Sequence, residues 1–437
     1  MTPEQIGALS LVAMLLLIWS GMHVGVALAL LSFLGVWAIK GYFTIAGKMM
    51  AAATYDAISN HVFGVIPLFV LTGLLVSKAN IAKDAFAIAS QWLGRRRGGL
   101  GMTTVIANAI FAAVTGVSIA SAAVFTKVAV PEMLRLGYTP KFSSGVVAGS
   151  SVLGMLIPPS LLLIFYGLLA EVSIGALFVA GILPGLLLTI TFLLLIVGGA
   201  KFFPNFVGGS EDKLPIRKFS LGEILRILLP IFSLIILVLG GIYGGYFTPT
   251  EAGAVGALGA LCLALSNGKM NRSGLWEVLV ETGHVTVSIS FLLIAASLYS
   301  RMLTLSGLPQ ALLVGLGGAE LSFPFLLLMY LALLILLGTV LDSTSILLIT
   351  VPLALPIIGG FSVDLVWFGI VTVLAVEIGL LTPPLGIAVY VIHGALDDTS
   401  VTLSDIFLGA APFALAMLVV LFLVSLFPQI ALFLVPR

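Results

Sequence analysis

The chain has 437 residues, of which 60% are hydrophobic and 8% charged, and its 19 basic and 18 acidic residues leave a net charge of +1. An average soluble domain carries about 25% charge, so too little polar surface remains for a soluble enzyme or a nucleic-acid binder. A single cysteine, Cys262, excludes a disulfide framework and a thiolate metal cluster, and the four scattered histidines argue against a histidine metal site. Long unbroken apolar runs, rather than ten-residue alternation, predict an all-α polytopic membrane protein.

The opening Met-Thr-Pro-Glu-Gln lacks the basic flank of a cleavable signal. The first uncharged run, 5–39, suits one tilted span or two short ones broken near Ser20-Gly21-Met22-His23. A span at 57–77 follows, then Arg95-Arg96-Arg97, a topology signal and a surface for anionic lipid. The run 98–126 is small and hydroxyl-rich at its centre, Thr115-Gly116-Val117-Ser118-Ile119-Ala120-Ser121. That composition suits the tip of a re-entrant hairpin, 98–131, with small-residue helix packing as the plainer alternative. The next run, 142–170, holds Pro158-Pro159. Paired prolines remove two backbone donors and break a helix, which lipid tolerates only where protein or water surrounds the freed carbonyls.

Spans at 172–200, 227–250 and 252–268 surround the one substantial polar insert, 201–223. Thr248-Pro249-Thr250-Glu251 reads as a helix start. Runs at 282–300 and 302–319 are separated by Arg301, and runs at 321–341 and 343–363 by Asp342, the only charge between Glu320 and Asp364. An intramembrane Asp is costly and marks a functional or capping position. Glu377 is equally isolated, and a proton-binding role or a pair with a polar neighbour would suit it. The run 378–396 contains Pro383-Pro384, and 406–436 closes the chain.

The chain repeats itself at an offset of 225 residues. Gly154-Met155-Leu156-Ile157-Pro158-Pro159 maps onto Gly379-Leu380-Leu381-Thr382-Pro383-Pro384, Pro131 onto Pro356, and Thr115-Gly116-Val117-Ser118 onto Val340-Leu341-Asp342-Ser343. The predicted organisation is N-terminal scaffold helices at 1–60 and a first repeat at 61–171, with hairpin 98–131 and broken helix 142–170. Scaffold helices and the loop 201–223 fill 172–280. A second repeat at 281–398 carries hairpin 321–360 and broken helix 365–396, and a C-terminal helix occupies 399–437. Following the chain through these spans starts the second unit on the opposite side of the membrane, an inverted repeat. Fifteen of the 19 basic residues then fall on one side, which the positive-inside rule makes cytoplasmic.

Four segments resemble the large membrane (M) subunit of tripartite ATP-independent periplasmic (TRAP) transporters. They are Ile157-Pro158-Pro159-Ser160 with Tyr166-Gly167, Phe247-Thr248-Pro249-Thr250-Glu251-Ala252, Leu341-Asp342 with Pro352 and Pro356, and Gly379-Leu380-Leu381-Thr382-Pro383-Pro384-Leu385-Gly386. The similarity runs over nearly the whole chain. It departs at the first tip, where Thr115-Gly116-Val117 and Ser121 stand for the family's Ser-Gly-Ser and downstream Asp. The resemblance implies an elevator-type secondary transporter of the ion-transporter superfamily, multi-pass in a bacterial inner membrane. Sodium would be the coupling ion, with no other cofactor. A periplasmic binding protein would deliver a small organic acid, and a small membrane (Q) subunit would brace the scaffold.

By resemblance and repeat position, sodium site one would use Thr115, Ser118, Gly154, Ile157 and Pro159. Site two would use Gly338, Asp342, Gly379, Thr382 and Leu385, mostly through carbonyl oxygens. Ser121, Ser343, Thr344, Ser345 and Arg301 are the candidate substrate contacts, Arg301 as one of the few basic residues on the outer side. A stand-alone sodium-coupled anion symporter is the alternative. An intramembrane enzyme is disfavoured, because Asp397-Asp398 is the only acidic pair outside the 201–223 loop and no metalloprotease or serine-hydrolase motif occurs.

Overall fold

The computed structural model describes residues 1–59, 61–94, 96–209, 219–268, 270–311, 322–396 and 401–435. Arg95, residues 210–218 of the predicted 201–223 loop, the first residue of the predicted second hairpin and Asp397-Asp398 lie outside the described residues. Among the described residues the fold is helical, and no strands form.

The open choice at 5–39 resolves as two helices, α1 (Pro3–Trp19) and α2 (Val24–Lys40). A capping box between Thr2 and Gln5 starts the first, and Gly41 at φ 77° ends the second. After α3 (Phe43–Ser59) come α4 (Val65–Lys78) and α5 (Ile81–Leu93), which meet at a 57° bend beside Asn80. Helices α6 (Gly99–Thr115) and α7 (Ser118–Arg135) join through a tip of two residues, Gly116-Val117. The first broken helix is α8 (Pro140–Leu156) and α9 (Leu161–Ala170), bent by 41°. Four long helices follow: α10 (Ile174–Phe202), α11 (Leu221–Tyr243), α12 (Pro249–Ser266) and α13 (Arg272–Ser306). Thr248 and Glu251 form the capping box that starts α12, as the motif predicts.

The pattern then recurs. Helices α14 (Phe323–Gly338) and α15 (Ser343–Ile358) flank a tip at 339–342. Helices α16 (Leu365–Gly379) and α17 (Ile387–Ala395) are the two halves of a broken helix, and α18 (Leu403–Leu426) follows. Five of these helices are long and apolar enough to cross a membrane, up to seven if each bent pair is one span.

Two sequence boundaries shift. The runs 282–300 and 302–319 do not divide at Arg301, because α13 passes through it and the 280/281 boundary falls inside that helix. Arg301 is half-exposed and its Nη2 lies 3.0 Å from Asp56 Oδ2 on α3, so the charge is accommodated at the helix surface. The first hairpin reaches Arg135, with Pro131 inside α7 instead of ending it. The C-terminal helix is α18. It lies along α8, where Gly145 and Gly409 bring the two backbones into direct contact, and the Trp367 indole donates to the Val424 carbonyl at 2.8 Å. Small residues at such crossings let helices approach closely where lipid removes the hydrophobic drive.

A second group of helices gathers around α13. Gly25 and Gly35 of α2 lie against Phe291 and Met302, α12 packs on α4, and a 3.0 Å ion pair joins Lys78 to Glu277. Such half-exposed pairs add little stability, so packing holds this group together.

Candidate functional site

The two tips and the two breaks form two junctions of similar construction. At the first, α6 ends because Gly116 adopts φ 67°, a conformation open to glycine, and a side chain there would strike the Pro159 carbonyl. The Gly116 carbonyl accepts from Leu161 N–H at 3.2 Å, at the start of α9. Gly154, in the last turn before the break, faces the tip so closely that a Cβ would sit 2.9 Å from the Val117 carbonyl carbon. Ser160 caps α9, accepting from Leu163 N–H and donating to the Met155 carbonyl. Thr115, Ser118, Gly154 and Pro159 are all buried, and Ile157 is partly so.

At the second junction the Thr339 carbonyl accepts from Leu385 N–H and Gly386 N–H, both at 3.1 Å. Gly386 stands at the repeat position of Leu161, so both tips dock a carbonyl on the start of the second half-helix. Gly338 and Gly379 meet backbone to backbone, and a Cβ on Gly338 would lie 2.6 Å from the Gly379 Cα. Thr382 Oγ1 donates to the Ile378 carbonyl at 2.8 Å. Here the halves are separated by 380–386, and Pro383, Pro384 and Leu385 are exposed, Leu385 by 42%. The first break is enclosed and the second is open.

Asp342 is the N-cap of α15, accepting from Ser345 N–H at 3.0 Å and from the Ser345 hydroxyl. Such a cap is worth roughly 1 kcal/mol. Its carboxylate is thereby engaged by Ser345, a candidate substrate contact. Ser343 donates to Glu377 Oε1 at 2.8 Å, while Ser121 is fully buried with its hydroxyl unpaired, and Thr344 is half-buried. Ser121 thus lies on the helix after the first tip, and Ser343 and Ser345 on the helix after the second. No contact brings Arg301 to them among the described residues, because its guanidinium is paired with Asp56.

Several contacts escaped sequence reasoning. Tyr166 of α9 donates to the Leu365 carbonyl at the start of α16, 2.7 Å away, joining the two repeats. Gly73 of α4 lies under the first tip, where a Cβ would be 2.9 Å from the Thr115 carbonyl oxygen. Asn108 donates to Ser150 at 2.9 Å between α6 and α8. Buried polar residues in an apolar run were the available signal, but nothing in one sequence pairs them.

Residues 11–430 match the family model of the tripartite ATP-independent periplasmic transporter, DctM component. The chain belongs to this family of TRAP transporters. It is 33% identical over 391 residues to a C4-dicarboxylate TRAP transporter large permease protein from Pseudomonas aeruginosa, covering 88% of both chains. To a sialic acid TRAP transporter large permease protein from Vibrio cholerae it is 32% identical over 424 residues, 96% of both chains. The fold is shared with the YdaH transporter of Alcanivorax borkumensis, with a TM-score of 0.61, 15% sequence identity and 89% of each chain covered. This TRAP component is therefore a multi-pass large permease subunit of a transporter and not an enzyme.

Proposed function

We propose that this permease imports a small organic acid, driven by an inward sodium gradient, through an elevator movement of one helix group against the other. The observation that carries the reading is the pair of junctions at Gly116–Leu161 and Thr339–Gly386. Each gathers the end of one helix, the start of another and the carbonyls of a proline break at one point. Sodium is a hard cation suited to such oxygens, and broken half-helices at an intramembrane site place carbonyls toward cations and N-termini toward anionic groups. The candidate ligands are Thr115, Ser118, Gly154, Ile157 and Pro159 at one junction, and Gly338, Gly379, Thr382 and Leu385 at the other, where Asp342 shapes the tip by capping α15. Ser121, Ser343, Thr344 and Ser345 lie near the tips and suit the substrate. Arg301 belongs to the outer surface of the scaffold, where it suits a docking partner.

Relatives named for C4-dicarboxylate and sialic acid take carboxylated compounds, which supports an organic-acid cargo here. In the same reading a periplasmic binding protein delivers the acid, a small membrane subunit covers the exposed apolar faces of the scaffold, and Arg96-Arg97 rest on anionic lipid of the bacterial inner membrane. Purified permease with its small subunit, in proteoliposomes, should take up the acid only with the binding protein outside and sodium directed inward. Full uptake on a potassium or proton gradient would overturn the ion assignment. Robust uptake by this chain alone would favour the stand-alone symporter.

The inverted arrangement has its own test. In a Cys262→Ala background, Asn205→Cys should react with an impermeant thiol reagent only from the cytoplasm, and Ser362→Cys only from outside. Both residues are exposed. Reaction of both from one side would remove the inverted repeat.

A further inference from the structure

Glu377 sits on α16, two residues before the Gly338 contact, and is only 1% exposed. Its Oε1 accepts the Ser343 hydroxyl at 2.8 Å. Ser343 opens the helix after the second tip. Ser118 opens the helix after the first tip, and the 225-residue offset makes the two serines equivalents. Ser118 neighbours the same carboxyl group, and both Ser118 Oγ and Glu377 Oε2 are buried without a partner. Two equivalent hydroxyls, one from each hairpin, thus converge on a single side chain. The residue at the equivalent position of the first repeat is Val152, which accepts nothing. Of the two equivalent positions, only 377 carries an acceptor.

We propose that Glu377 is a positioning residue that ties the two hairpin tips together, so that ordering of one tip favours ordering of the other. Ser343 supplies the closed arm of the tie. Ser118 supplies an arm that a small shift of the first tip would close onto Oε2. An unpaired buried acceptor and an unpaired buried donor side by side each carry a desolvation cost, and a bond between them relieves both. Ligand at either tip that favours this shift therefore acts on its counterpart, giving a coupling free energy between the sites. The part of the inference that concerns sodium rests on the function proposed above.

Hydrogen exchange on the full-length chain in lipid nanodiscs reads the tie without needing an ion. Ser343→Ala should raise exchange at the first tip, over 112–122, and Ser118→Ala should raise it at the second, over 336–346, each by about fivefold or more. Exchange in α1, which packs on α2 and α13, should not change. Glu377→Gln keeps an oxygen for Ser343 and should behave as wild type in this respect. Glu377→Val, which installs the first repeat's residue, should leave each tip deaf to the other. In sodium titrations the Hill coefficient should fall from about 2 toward about 1 in Glu377→Val and recover in Glu377→Gln. Effects confined to the mutated hairpin, or an unchanged Hill coefficient in Glu377→Val, would overturn the tie. A wild-type chain indifferent to sodium would remove the ion reading, and the cross-repeat exchange would still decide the tie.

Discussion

Alanine at Gly379 should reduce transport about fivefold or more while the protein still reaches the membrane. A Cβ there would sit 2.5 Å from the Gly338 Cα and 2.7 Å from the Ile335 carbonyl oxygen. Both obstacles are backbone, so no flexible side chain can swing aside. Overpacking of this kind costs about 1–3 kcal/mol where neighbours can adjust. An equilibrium that needs the tip seated on the break would shift roughly 5- to 150-fold. Gly394→Ala on the following half-helix is the control, since nothing lies within 4 Å of its Cβ position. Uptake rates and thermal stability of the two variants, measured side by side, separate local unseating from general unfolding. Equal uptake by both would show that the Gly338–Gly379 contact is not needed.

Thr382→Val should weaken apparent sodium affinity about tenfold or more. The Thr382 hydroxyl gives its proton to the Ile378 carbonyl, which leaves its oxygen lone pairs free to face a cation at the open second break. Valine keeps the volume and removes that oxygen. A lost hydrogen-bond or ligand contact to a charge is worth about 1.5–3 kcal/mol, which is tenfold or more in a dissociation constant. Thr339→Val is the matched comparison. Its hydroxyl donates to Leu336 within its own turn, and it is the Thr339 carbonyl that holds Leu385 and Gly386. That variant should change sodium affinity far less. Sodium-driven uptake with unchanged affinity in Thr382→Val would mean that the site works through backbone carbonyls alone.

Much of the architecture could be read from the chain because its signals are strong in one dimension. Paired prolines at a fixed offset, hydroxyl-rich tips and isolated charges appear in the sequence as they stand. Asp342-Ser343-Thr344 reads as a cap because capping is local, and the structure has that cap. What escaped is three-dimensional. Arg301 interrupts a hydropathy run but not a helix, because a surface partner on α3 absorbs its charge. The last helix carries no sequence mark of its partner; its seat on α8 depends on two glycines, Gly145 and Gly409, far apart in the chain. The convergence of Ser118 and Ser343 on Glu377 follows from folding the repeat back on itself, and no run of residues displays it.

The Gly145–Gly409 contact also decides which end of the polypeptide reports on which part of the molecule. The final helix packs along the first broken helix, whereas the opening helices α1 and α2 pack with α13. A donor dye on the first helix and an acceptor on the last are therefore mounted on different bodies. Under the proposed elevator movement, the distance between them would gauge the displacement without either proline break being touched. If the proposed elevator movement carries the breaks across the membrane, a fluorescent fusion after the last helix would move with them, and its height above the bilayer would report it.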